Sequence, residues 1–135
     1  MKEITLPANF DNIHVVIGFI TEQVEPLNCP AEIEVQLSVV IDEIFGNIAR
    51  YAYAPDEGPA TVRFEIREDP RQILITFIDR GMPFNPLNAS DPDTTLPARQ
   101  RRIGGLGIFM VKSTMDGMSY EYRDGQNILT IIKNL

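Results

Sequence analysis

The chain has 135 residues, 44% of them hydrophobic, and a formal net charge of −7 at pH 7. That length suits one domain with a real core, and that apolar share argues against disorder. The acidic balance argues against a nucleic-acid or anionic-membrane surface, either of which needs a basic field, while Cys29, the single cysteine, leaves no intramolecular disulfide to form.

The opening "MKEITLPANF" lacks the long apolar core of a signal peptide, and no apolar run is long enough to cross a bilayer, so a cytoplasmic protein is expected. "EITL" reads as a short strand closed by Pro7. Asn9 or Asp11 then caps a helix whose apolar positions Ile13, Val16, Ile17, Ile20 and Val24 keep helical spacing. "EPLNCP" interrupts it, with Cys29 as a small apolar residue near the next helix start and Pro30 in that helix's first turn. Leu37, Ile41, Ile44, Ile48 and Ala52 make one stripe of this second helix, which should stop near "YAPDEGP".

Val62, Phe64 and Ile66 alternate with charged residues in "ATVRFEIRED", the pattern of a half-buried strand. "DPR" is a turn, and "QILITFID" is a more deeply buried strand ending at Asp79, so the two form a hairpin. From Pro83 to Arg102 the chain turns to Pro, Asp, Asn, Ser and Arg without periodicity; a stretch that long in a compact domain points to a functional lid, about 83–103. Ile108, Met110, Val111 and Met115 suit a third helix, with the methionines, Met118 included, expected in the core. "MSYEYRDGQNILTIIKNL" reads as two strands around an Asp124-Gly125 turn. Helices kept apart from hairpins imply an α/β fold, a two-layer sandwich with a mainly antiparallel mixed sheet and helices on one face.

Three short patterns carry chemistry. Glu43 and Asn47 stand four apart on the second helix and share a face beside the apolar stripe. An Asn side-chain oxygen is a hard ligand suited to Mg²⁺, and a carboxylate one turn earlier can take a proton from an attacking hydroxyl; an ordinary solvated helix face has the same spacing. Asp79 ends a buried strand, with Gly81 two residues on, where an acid can accept from an exocyclic amine and a glycine can let a flat ring approach; a plain turn has the same composition. Gly104, Gly105 and Gly107 sit just before the third helix, where backbone N–H groups and the helix dipole favour an anion. No Gly-Lys-Ser/Thr follows, so this is not a P-loop, and no parallel βαβ unit surrounds it.

Taken in order, these patterns resemble the Bergerat-fold ATPases, the class of gyrase, MutL and histidine-kinase ATP domains. Within it the chain looks most like the small anti-sigma-factor serine kinases, from "EITLPA" to "NILTIIKNL". The resemblance implies a single domain over 1–135 that binds ATP with Mg²⁺. Glu43 in "DEIFGN" matches the general base and Asn47 the Mg²⁺ ligand. Asp79 matches the adenine-reading carboxylate, with Gly81 beside it. Gly104, Gly105, Leu106 and Gly107 in "GGLG" match the phosphate loop, and Thr130 a hydroxyl supporting the adenine contact. The D-x-G-x-G of the family becomes Asp79-Arg80-Gly81-Met82-Pro83, in the "G-x-P-F" form of the small kinases, and Tyr51 replaces a common histidine. Arg50 can reach phosphate or merely water, and Arg99, Arg101 and Arg102 at the end of the lid can meet a γ-phosphate or simply carry solubilising charge; His14 is expected at the surface or in packing. The implied activity is phosphoryl transfer to a small anti-anti-sigma antagonist protein, with a sigma factor as second partner and a homodimer as one assembly. A nucleotide-sensing module without transfer is the alternative.

Overall fold

The structure, a computed structural model, describes residues 1–88 and 105–135. Five strands, β1 (Lys2–Pro7), β2 (Pro59–Arg67), β3 (Gln72–Asp79), β4 (Gly117–Arg123) and β5 (Gln126–Asn134), form one sheet in the order β1-β2-β3-β5-β4. All four ladders are antiparallel, so the expected layering holds, and no parallel pair occurs among the described residues. β3 is the middle strand, which explains its near-continuous apolar run: Ile73, Ile75 and Phe77 face the helices, and Leu74 and Ile78 are buried on the other face. Asp124 and Gly125 both adopt positive φ, 55° and 76°, as a tight hairpin turn between β4 and β5 requires.

Three helices pack on one face. α1 (Ile13–Val24) buries Val16, Ile20 and Val24. Asn9 caps the single 3-10 turn Phe10–Asn12 before it, its side chain accepting from the Asn12 N–H at 3.0 Å. α2 (Ala31–Asn47) follows Pro30 directly and carries Glu32 and Glu34 in its first turn, where acids suit the positive end of the dipole. It buries Leu37, Val40, Ile41, Ile44 and Phe45 against β2, β3 and α1. α2 then continues, as the stripe to Ala52 suggested, but as a wider turn of π type over Ile48–Ala52. α3 (Gly105–Thr114) buries Ile108 and Val111, with Met115 just beyond it, while Met110 is 44% exposed, so only part of the expected methionine core forms. His14 is at the surface, as expected.

The sheet face away from the helices is finished by polar pairs. Thr5 bonds Thr61 at 2.8 Å, Thr76 bonds Thr130 at 3.1 Å, and Arg63 Nε meets Glu3 at 2.7 Å. The fold thus brings two element ends together on the helical side: the C-terminal end of α2 and the end of β3.

Candidate functional site

On α2, Asn47 Nδ2 donates to Glu43 Oε1 at 3.0 Å. The bond fixes which way the amide points: its nitrogen faces the carboxylate, and its oxygen, Oδ1, takes no hydrogen bond among the described residues. α3 lies along the same face. A Cβ on Gly107 would overlap the Glu43 carboxylate, so a bare backbone is what lets the first turn of α3 close on that acid. Gly105 and Gly107 stand inside the helix rather than before it, and Gly107 serves the close approach of α3 to α2 near a helix N-terminus, where an anion is favoured. The Gly105 backbone opens α3, with Leu106 next; Gly104, Arg99, Arg101, Arg102 and the lid from residue 89 on lie outside the described residues.

Asp79 is one of two buried polar residues among those described, 5% exposed at the end of β3. Burial raises its carboxyl above the ordinary value, and hydrogen bonds from Asn127 and the Gly81 N–H partly offset this. Both donate to the same oxygen: Asn127 Nδ2 and Gly81 N each lie 2.9 Å from Oδ1. Oδ2 takes no hydrogen bond among the described residues.

The loop after Asp79 is tied to its surroundings on two sides. Toward the end of α2, the Met82 N–H donates to the Ala52 carbonyl at 2.9 Å, and a Cβ on Gly81 would overlap that carbonyl. The glycine is needed here for the close approach of the helix end. The Arg80 N–H donates to the Tyr53 hydroxyl at 2.7 Å, which in turn donates to the Pro59 carbonyl at 2.6 Å. Toward the sheet, Asn127 Nδ2 also donates to the Met82 carbonyl at 3.0 Å, while its Oδ1 accepts from the Phe84 N–H at 3.1 Å and from the Tyr120 hydroxyl. Pro83, which has no N–H, sits between two residues whose N–H groups are both in use.

The structure therefore brings Glu43, Asn47 and Gly107 together, and joins the Asp79–Phe84 loop to the same helix a turn or so beyond Asn47. Thr130 is not part of this group. It is paired with Thr76, one strand face removed from Asp79, which is paired with Asn127. Because side chains alternate along a strand, positions 127 and 130 point to opposite faces, and it is Asn127 that reaches the acid. Arg50 is exposed, its guanidinium 5.4 Å from the Phe10 ring centre and 5.8 Å from that of Tyr51, a cation–π seat at the edge of the group. Asn127, Tyr120 and Tyr53 are the members that pattern reading passed over. A polar residue in phase with the buried Leu129 and Ile131 was the available signal for the first.

No helix among the described residues is long and apolar enough to cross a membrane, and no cluster of His, Cys, Asp and Glu there could by itself hold a metal ion. The chain is 29% identical over 101 residues to the serine/threonine-protein kinase BtrW of Bordetella bronchiseptica, covering 75% of this chain and 70% of that one. It is 27% identical over 97 residues to the serine-protein kinase RsbW of Bacillus mycoides, and 28% identical over 98 residues to that of Listeria monocytogenes. Those two matches cover 69% of this chain but only 59% and 61% of the relatives. The model of the histidine kinase-like ATPase domain matches residues 6–133, nearly the full length, and with the bound pair on α2 and the buried acid ending β3 this chain belongs to that family.

Proposed function

We propose that this chain is an ATP-dependent serine/threonine-protein kinase that transfers the γ-phosphoryl group to a hydroxyl of a small antagonist protein and regulates a sigma factor by binding it. The observation that carries the reading is the tie between Asn47 and Glu43 against the bare backbone of Gly107. It leaves one amide oxygen and one carboxylate side by side at a helix N-terminus, the groups a phosphoryl transfer needs.

The residues fit Mg²⁺ as well. Asn47 Oδ1 is a hard oxygen with no hydrogen bond of its own among the described residues, so it would hold the ion without breaking a contact. When bound, the ion supplies charge neutralisation between the β- and γ-phosphates. Asp79 Oδ2 would accept from the adenine amine. Glu43 would accept the proton of the substrate hydroxyl as its oxygen bonds to the γ-phosphorus and the bond to the bridging oxygen breaks, releasing ADP. The backbone of Gly104 to Gly107 would lie near the phosphates, and the lid would cover them. The resemblance to the small anti-sigma kinases supports an antagonist protein and a sigma factor as partners, and a homodimer as the assembly. The cytoplasm is the compartment such partners require.

Labelled ATP offered with the antagonist protein tests the reading. Wild-type protein should label the acceptor, and Glu43→Gln should bind ATP yet label it at least about 100-fold more slowly. ATP binding with no label from wild type would favour the sensing module instead.

A further inference from the structure

We propose that Asn127 is a positioning residue that presets Asp79 to read an amine rather than a carbonyl on the nucleobase. The inference rests on the ATP-binding reading above and names what enforces selectivity within it. Three acceptors converge on the one amide group of Asn127: Asp79 Oδ1 at 2.9 Å, the Met82 carbonyl at 3.0 Å and the Gly81 carbonyl at 3.5 Å. The amide oxygen is held in turn by the Tyr120 hydroxyl and the Phe84 N–H, so the group cannot flip without setting donor against donor. Asn127 is 6% exposed, and water is poorly placed to substitute.

The consequence falls on Asp79. With Oδ1 saturated by Asn127 and Gly81, only Oδ2 is left for a ligand. Ionised, Oδ2 can only accept, so it suits the six-amino group of adenine and repels the six-carbonyl of hypoxanthine or guanine. Protonated, the same acid becomes a donor and the preference is lost. Burial already pushes Asp79 toward the protonated form, and the donation from Asn127 opposes it. Among the described residues, the other titratable groups facing Asp79 are Tyr53, from beyond α2, and Tyr120, from β4. Burial raises both above the ordinary phenol value, so they stay neutral between pH 6 and 9, and the neighbouring Arg80 side chain is exposed.

The experiment compares ATP with inosine triphosphate, which differs at the six-position, by calorimetric binding with Mg²⁺ from pH 6 to 9. Wild type should favour ATP by about tenfold or more at pH 8, a preference that narrows only on the acid side. Asn127→Asp keeps the shape but replaces the donor by a second acid. Its ATP affinity should be lost at pH 8–9 and return on acidification, when one proton shared between the two acids restores a donor. That slope is opposite in sign to wild type, and a purely structural role would not produce it. Tyr120→Phe, a milder change that loosens the amide, should cut the ATP preference about two- to fivefold, and serves if Asn127→Asp fails to fold. Carbon-13 titration of the Asp79 carboxyl in the ligand-free protein should show its midpoint raised in both variants. Wild-type selectivity and pH dependence retained in both would overturn the role of Asn127 and leave the kinase reading standing. Wild type binding neither nucleotide would overturn both.

Discussion

Replacing Gly107 by alanine separates the two jobs of α3. A Cβ at this position would lie inside the van der Waals envelope of the Glu43 carboxylate carbon and both its oxygens. To reach an ordinary separation of about 3.5 Å the carboxylate must retreat by roughly 1–2 Å. The obstructing atoms are the far end of a flexible, half-exposed side chain, so the retreat costs little in folding. Alanine within a helix gains up to about 1 kcal/mol over glycine. The melting temperature of Gly107→Ala should therefore be unchanged or a few degrees higher. Transfer should suffer, because an error of about 1 Å in a reacting group costs on the order of 100-fold. Single-turnover transfer from labelled ATP, with ATP affinity measured separately, reads this directly. The double variant Glu43→Ala with Gly107→Ala supplies the control: once the carboxylate is gone, the new methyl has nothing to displace, and the second change should add little. A Gly107→Ala protein turning over within threefold of wild type, or full additivity in the double variant, would refute the placement of Glu43 as the reacting base.

Asp79→Asn keeps an oxygen for Asn127 and Gly81 but presents an amide nitrogen where Oδ2 stood, so ATP affinity should fall about 10- to 100-fold in calorimetry while the fold persists. Because the native carboxyl is raised, wild-type stability includes a contribution present below the unfolded carboxyl value and lost as pH rises through the native one. Asp79→Asn should therefore be at least as stable as wild type at pH 8, with the gap closing toward pH 4 in denaturant titrations. Gly81→Ala meets the Ala52 carbonyl, a backbone group that cannot step aside, and should lose about 1–3 kcal/mol of stability in the same titrations, unlike Gly107→Ala. Tyr53→Phe removes the bond to the exposed Arg80 N–H, which water can then serve, and should cost about 0.5–1.5 kcal/mol, with a smaller loss of ATP affinity through the Asp79 loop.

Much of this site was legible in local pattern. The spacing of Glu43 and Asn47 gave their shared face, the apolar run into Asp79 gave a buried strand end, and Asp124-Gly125 gave the last turn, because each depends on neighbours in sequence. What pattern could not supply was pairing over distance. That β5 lies beside β3, with position 127 opposite position 79, is a choice among sheet orders that no single strand encodes. Thr130 is therefore the residue that pattern singles out and Asn127 the one it misses, although strand alternation sets the two on opposite faces. The glycines show a second limit. Gly81 and Gly107 were noticed, but whether a bare backbone serves a ligand, a helix end or a carboxylate depends on what packs against it.

The sheet order has a bearing on how the protein loosens. Among the described residues, β1 and β4 hold the outer places and are laddered on one side only, whereas β3 is laddered on both. Fraying begins where a strand has one neighbour, so amide exchange should be fastest along those margins and slowest in the middle. Asp79, the proposed nucleobase reader, is mounted on the strand that lets go last, and partial opening of the periphery leaves it seated.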